Sequence, residues 1–197
     1  MSQPVTFSLC VYCGSRHGQD ERFTQAAVAL GHEIGRQGWQ LVYGGGNVGL
    51  MGEVANATLE AGGRVVGVIP ERLMQREVGH RQLSELHVVH TMHERKKRMA
   101  EMAHAFLALP GGIGTFEELF EVWTWRHLGY HQQPIGLLNV AGFYDPLLAF
   151  MQRTQAAGFV DTEQQSMLTV GTDPVDMLHT LARMSEPPGQ AGCYARI

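Results

Sequence analysis

Leu41-Val-Tyr-Gly-Gly-Gly-Asn-Val-Gly49 decides how this chain is read. Three apolar residues run into a glycine turn, and residues 50–60 then carry helical spacing up to Gly62-Gly63. A strand, a glycine turn and a helix in that order present backbone to a phosphate. Glycines let amide N–H groups approach the oxygens, and the helix N-terminus adds partial positive charge. Gly45, Gly46 and Gly49 are the candidate contacts. The turn contains G-x-G-x-x-G, but a dinucleotide fingerprint follows the first strand of its fold, with an acid about 20 residues on. Here the turn follows the second strand, and the nearest acid at that distance, Glu71, stands behind Pro70. That placement argues against an NAD-dependent oxidoreductase.

Outward from this stretch, strands and helices alternate. Strands are expected over 7–12, 41–43, 65–69, 86–89, 105–109 and 134–138. Helices are expected over 21–37, 50–60, 92–103, 115–128, 144–157 and 175–184. The stretch 71–85 is polar and irregular. Continuous apolar strands alternating with amphipathic helices imply an α/β fold, a parallel sheet covered on both faces. Ligands of such sheets bind beyond the carboxyl ends of the strands. No repeat or linker divides the chain, so one domain over 1–185 is expected, with a flexible tail over 186–197.

Composition excludes several classes. The chain of 197 residues is long enough for one substantial core. Its formal charge of −4 is spread along the sequence, and the one basic cluster, His93-Glu-Arg-Lys-Lys-Arg98, carries its own acid, so no nucleic-acid partner is expected. A phosphate-bearing small molecule needs only local donors. Three cysteines and no secretory apolar run point to a reduced, cytoplasmic setting. No stretch approaches the ~20 apolar residues of a membrane span.

A second glycine turn, Pro110-Gly-Gly-Ile-Gly-Thr115, also follows a strand and opens a helix. One such turn is as compatible with tight packing as with ligand binding. Two of them, both at carboxyl ends of strands, could converge on one phosphate, with Gly111, Gly112, Gly114 and Thr115 added to the cradle. Neither contains Gly-Lys-Ser/Thr, which excludes a triphosphatase P-loop.

The helix after the second turn carries acids. Glu118 and Glu121 are three apart and share a face, with Trp125 and Leu128 continuing it. Phe116, Leu119, Phe120 and Trp123 cover much of the rest, so this helix is expected to be buried nearly all round. A buried carboxylate is costly unless paired or functional, and Glu118 is read as functional, with Glu121 a possible second acid. Glu117 is read as stabilising the helix N-terminus, worth a few tenths to about 1 kcal/mol. On the helix expected over 92–103, Met92, Met99 and Ala103 form the inward stripe. Arg95 is then the best inward cation, its planar fork suiting phosphate or carboxylate; the alternative is a salt bridge at the helix edge. Lys97 and Arg98 read as a solvated face.

Other motifs carry less. Cys10-Val-Tyr-Cys13 straddles a strand end and lacks a second metal pair, so no zinc or redox role is assigned. His93-Glu94 lacks the second histidine of a zinc-protease helix, since position 97 is Lys. Ser15 could add a hydroxyl to the ligand site or could serve only its turn.

Gly44-Gly-Gly-Asn-Val-Gly-Leu-Met-Gly52, Met92-His-Glu-Arg-Lys96 and Pro110-Gly-Gly-Ile-Gly-Thr-Phe-Glu-Glu118 together resemble the LONELY GUY (LOG) family of cytokinin riboside 5′-monophosphate phosphoribohydrolases, often labelled "lysine decarboxylase-like". The resemblance runs from Cys13-Gly-Ser15 to about Leu148. It implies a Rossmann-like, doubly wound sheet, a homodimer, and no cofactor or metal. It also implies cleavage of AMP or an N6-substituted AMP to free base and ribose 5-phosphate. Carried over by motif, Arg95 and Glu118 are the catalytic pair. Glu77, Arg95, Lys96, the run Gly112, Ile113, Gly114, Thr115, Phe116, Glu117, Glu118, and Thr124 are substrate-binding positions. Arg16 departs from the small residue that many members have there. The rival reading is a non-catalytic carrier of a nucleotide or phosphorylated cofactor on the same scaffold.

Overall fold

In the computed structural model, which describes residues 6–74, 79–80 and 82–185, seven strands form one sheet. They are β1 (Ser8–Tyr12), β2 (Gln40–Tyr43), β3 (Arg64–Pro70), β4 (Glu85–Val89), β5 (Ala105–Ala108), β6 (Ile135–Leu138) and β7 (Leu168–Gly171). The helices are α1 (Glu21–Arg36), α2 (Gly49–Glu60), α3 (Glu71–Met74), α4 (Met92–Glu101), α5 (Ile113–His127), α6 (Asp145–Ala156), α7 (Thr162–Ser166) and α8 (Pro174–Met184). The spatial order is β4-β3-β2-β1-β5-β6-β7, and every pairing is parallel. The chain winds outward from β1 to one edge, returns, and winds from β5 to the other. The winding reverses between β1 and β5, where carboxyl-end loops diverge and leave a crevice.

The central strands β1, β2, β5 and β6 are buried along their whole length, as a sheet covered on both faces requires. One face packs a core of Leu9, Leu30, Ile34, Leu41 and Leu107 under α1, α2 and α8. The other packs Val66, Met99, Phe106, Val122 and Tyr144 under α4, α5 and α6. Right-handed crossovers put α1 and α2 on one face while the chain winds one way, and α4, α5 and α6 on the other once the winding reverses.

All six expected strands and all six expected helices are present, with no end displaced by more than two residues. The displacement with a consequence is at α5, which starts at Ile113, two residues before the expected Thr115. Glu118 therefore sits in its second turn. Three elements lacked a sequence signal: the single turn α3, the five-residue α7, and the half-exposed edge strand β7. The tail 186–197 and Glu77 lie outside the described residues.

Two burial expectations are corrected. α5 is not enclosed all round: Thr115, Glu118, Leu119, Val122, Trp123 and Trp125 are buried, but Phe120 and Thr124 are exposed and Leu128 is 59% exposed. Phe120, Thr124 and Leu128, spaced four apart, form one stripe that the sheet does not cover. Met92 is also not inward, being 44% exposed: as the first residue of α4 it lies at the rim, and Arg95, Met99 and Ala100 are the buried positions.

Candidate active site

α4 begins with a capping box. The Thr91 side chain accepts from the Glu94 N–H, and the Glu94 side chain accepts from the Thr91 N–H. This fixes the first turn and aims Arg95 at the carboxyl ends of β2 and β3. Arg95 is only 7% exposed. Its Nε donates to the Val68 carbonyl at 3.1 Å, and its Nη2 lies 3.5 Å from Glu118 Oε1. The expected pair is thus brought together from α4 and α5, with both side chains nearly out of solvent. Arg95 therefore does form a salt bridge, but a buried one and not one on a solvated helix edge. A buried ion pair seldom adds net stability, because desolvation offsets the attraction.

The neighbouring cation behaves differently. Lys96 Nζ donates to Glu117 Oε1 at 2.6 Å and Glu121 Oε1 at 2.8 Å. Burial works against its charge, but the two carboxylates outweigh that and hold its pKa above the ordinary lysine value. Glu117 therefore has a partner beyond the helix dipole. Glu121 engages Lys96 on the outer side of the Arg95–Glu118 pair.

The second glycine turn is open. Gly112 is the N-cap of α5 and supplies no side-chain acceptor, and the first turn of α5 contains no acid. α2 likewise begins with neither a side-chain cap nor an acid. In contrast α1, α4, α7 and α8 cap themselves through Asp20, Thr91, Asp161 and Asp173. Gly112 and Gly114 are exposed, with nothing within 4 Å of where a Cβ would stand, and Ile113 is 82% exposed. Thr115 is buried beneath them, and Phe116 is half-buried with its ring edge-on to Tyr144. The free N–H groups of such an end are an anion cradle.

Behind this turn the Gly14 N–H donates to the Pro110 carbonyl at 3.1 Å, tying the β1 loop to the β5 loop across the crevice. A cleft of about 340 Å³ opens there, lined by Gly14 to Gly18 and Pro110 to Gly112 and closed by Phe23 and Phe143. The candidate Ser15 lines it.

The first glycine turn is closed. Gly44, Gly45 and Gly46 are all buried, and none lines that cleft. Gly45 has φ +79° and packs against Val68, Ile69 and Leu86. Its carbonyl accepts from the His80 N–H at 3.1 Å, and Gly46 bridges to Gly79. Gly49, at φ +54°, abuts the Ser15–Arg16 backbone. Thr124 stands apart from the pair: six residues beyond Glu118, it lies about 120° around the helix. It lines a second, apolar hollow with Phe120, Trp123 and Met151.

His80 escaped the sequence reading. It is 3% exposed, its Nδ1 accepts from the Gln82 N–H at 3.3 Å, and its Nε2 pairs with Asn56 Oδ1 at 2.7 Å. A lone histidine in an irregular stretch gave no periodic signal. Cys10 and Cys13 are buried free thiols whose pKa values are pushed up by burial, which keeps them protonated and unreactive.

A family model described as "Possible lysine decarboxylase" matches residues 51–181. The chain is 51% identical over 160 residues to "Cytokinin riboside 5′-monophosphate phosphoribohydrolase LOG" of Oryza sativa subsp. japonica, covering 81% of this chain and 66% of that protein. It is 48% identical over 173 residues to the cytokinin riboside 5′-monophosphate phosphoribohydrolase of Rhodococcoides fascians, covering 87% of each. Among solved structures, the molybdenum cofactor binding protein from Rippkaea orientalis superposes with a TM-score of 0.68 at 18% identity, over 93% of this chain and 99% of that one. That last likeness is one of fold alone.

Proposed function

The chain belongs to the LOG family of cytokinin riboside 5′-monophosphate phosphoribohydrolases, and on that premise we propose that it hydrolyses the N-glycosidic bond of AMP or an N6-substituted AMP. The products are free base and ribose 5-phosphate. The observation that carries this reading is the buried Arg95–Glu118 pair beside an open, uncapped helix end.

Breaking an N-glycosidic bond builds positive charge on the sugar. A carboxylate beside it stabilises that charge and activates water. Glu118 takes that role. From Ile113 to Glu118 the helix rises about 7.5 Å, a span comparable with the reach from a 5′-phosphate to its anomeric carbon. Phosphate held at the end of α5 thereby positions the bond to be broken. Arg95, fixed on Val68, balances Glu118 and orients it.

The family model's decarboxylase description does not suit this chain. The sequence holds two lysines, Lys96 and Lys97. A Schiff base needs a neutral amine, and Lys96 is held charged between two carboxylates. The carrier reading has likeness of fold in its favour, but a pure phosphate binder gains nothing from a buried acid one turn beyond the cradle.

The reading extends to a homodimer and a cytoplasmic setting. Phe120 and Leu128, exposed along α5, support a second copy there, to be measured by light scattering. Among the described residues no helix is long and apolar enough to cross a membrane.

The test is chromatography of AMP and isopentenyl-AMP incubations. Glu118→Gln, with its fold verified by circular dichroism, is expected to lose base release by about 100- to 10,000-fold. Near-full release would remove Glu118 from the chemistry. Binding of AMP without turnover by the native chain would favour the carrier.

A further inference from the structure

Gly44 poses a question that backbone conformation does not answer. Glycine is required where φ is positive, as at Gly45 and Gly49. Gly44 is not among the positive-φ glycines, so a left-handed backbone is not what calls for glycine there. The absent side chain must be explained by space. A Cβ at Gly44 would collide with Nη2 of Arg95, with Arg95 Cζ at 3.3 Å and Met51 Sδ at 3.4 Å. Nη2 is the nitrogen that faces Glu118.

We propose that Gly44 is a positioning residue for catalysis: its missing side chain is the mould in which the Arg95 guanidinium lies, and it sets the approach of Nη2 to Glu118. The guanidinium is held at three points. Nε is fixed to the Val68 carbonyl on β3, Nη1 points toward Met92 Sδ at 4.0 Å, and Nη2 lies between the Gly44 backbone and Glu118. A methyl group at 44 fills the space of Nη2. The fork must then rotate about the Nε anchor or leave it, and either motion changes the contact with Glu118. The first glycine of the turn that reads as a phosphate loop thus serves an arginine from another helix.

The proposal rests on Arg95 and Glu118 being the working pair, and the test separates the two claims. Four proteins are compared: wild type, Gly44→Ala, Arg95→Ala and the double variant. Each is assayed for kcat and KM on AMP and for melting temperature. Gly44→Ala is expected to lower kcat about 100-fold, the cost of a misplacement near 1 Å, with KM changed less than threefold. In the Arg95→Ala background the same methyl has room, so the double variant should match Arg95→Ala in both kcat and melting temperature. If the two losses multiply, or if Gly44→Ala keeps wild-type kcat, Gly44 does not act through Arg95. If Arg95→Ala itself retains full activity, the functional reading of Arg95 fails. The mould is then judged on melting alone: Gly44→Ala must destabilise the chain with Arg95 present and not without it. Should Gly44→Ala fail to fold, a folded double variant supports the mould and an unfolded one overturns it.

Discussion

Gly44 is buried against Arg95, and Gly45 and Gly46 against β3 and the Gly79–His80 segment, whereas Gly112 and Gly114, at the corresponding bend after β5, face open space. As sequence the two turns are near copies, each a glycine-rich step from strand to helix at the carboxyl edge of one sheet. Their difference comes from position. The turn after β2 is packed over by Arg95 of α4 and by the Gly79–His80 segment, so its glycines admit neighbours. β5 lies at the winding reversal, so its turn borders the crevice and its glycines admit solvent or ligand. Glycine content signals close approach without saying what approaches.

With Gly44→Ala probing the closed turn, methyl groups at two neighbouring positions probe the open one. The largest effect is expected at Gly111, the packed glycine of the open turn. A Cβ there collides with the Thr115 side chain and comes within 3.0 Å of the Gly14 nitrogen. Gly111→Ala should lower kcat/KM by about 100-fold, because it wedges the two loops that frame the cradle, and destabilise by about 1–3 kcal/mol. Gly112→Ala, one residue on, should stay within about 0.5 kcal/mol of wild type in denaturant titration. Equal losses at the two sites would mean that the turn is not open as described.

Next in size is the removal of one donor from the cradle. Ile113 is the first residue of α5, where proline suits the helix and loses an N–H that no helical carbonyl uses. Ile113→Pro should keep the melting temperature and raise KM for AMP about 10- to 100-fold, as expected for a hydrogen bond to a charged group. An unchanged KM would place the phosphate elsewhere.

The sequence carried the sheet well because its central strands are continuous apolar runs and its helices amphipathic. β7 was missed because an edge strand of four half-exposed residues has no such run. In the site, Arg95 and Glu118 were legible as charges on stripes that should be buried. The partition of labour between the turns was not, since it depends on which strands neighbour them. Nor was His80, whose partners Asn56 and Gln82 come from α2 and a loop that no pattern joins.

His80 allows the closed turn to be loosened alone. Burial lowers its pKa from the usual 6.5, so the fold favours the neutral ring. Its contribution to stability is full above 6.5 and is lost as pH falls from there through the lower folded value. Protonation also removes the Nδ1 acceptor used by Gln82. Hydrogen exchange, corrected for intrinsic rate, should show the His80 amide losing protection between pH 7 and 5 while the amides of α5 change little. Parallel loss at both would deny the closed turn its separate support.

The smallest effect belongs to a helix that needs no ligand. Asp173 accepts from the Val175 and Asp176 N–H groups at 2.9 and 2.8 Å, so α8 satisfies its own first turn. The first turn of α5 has no such side chain. Asp173→Ala should cost about 1 kcal/mol, a fall in melting temperature of about 2–4 °C, with kcat and KM unchanged. Inorganic phosphate should stabilise wild type and Asp173→Ala by the same increment, because the anion occupies the α5 end and not the α8 end. If phosphate rescues Asp173→Ala preferentially, anions fill any uncapped helix in this chain. The open end of α5 would then be one such end among several and no longer a feature of the site.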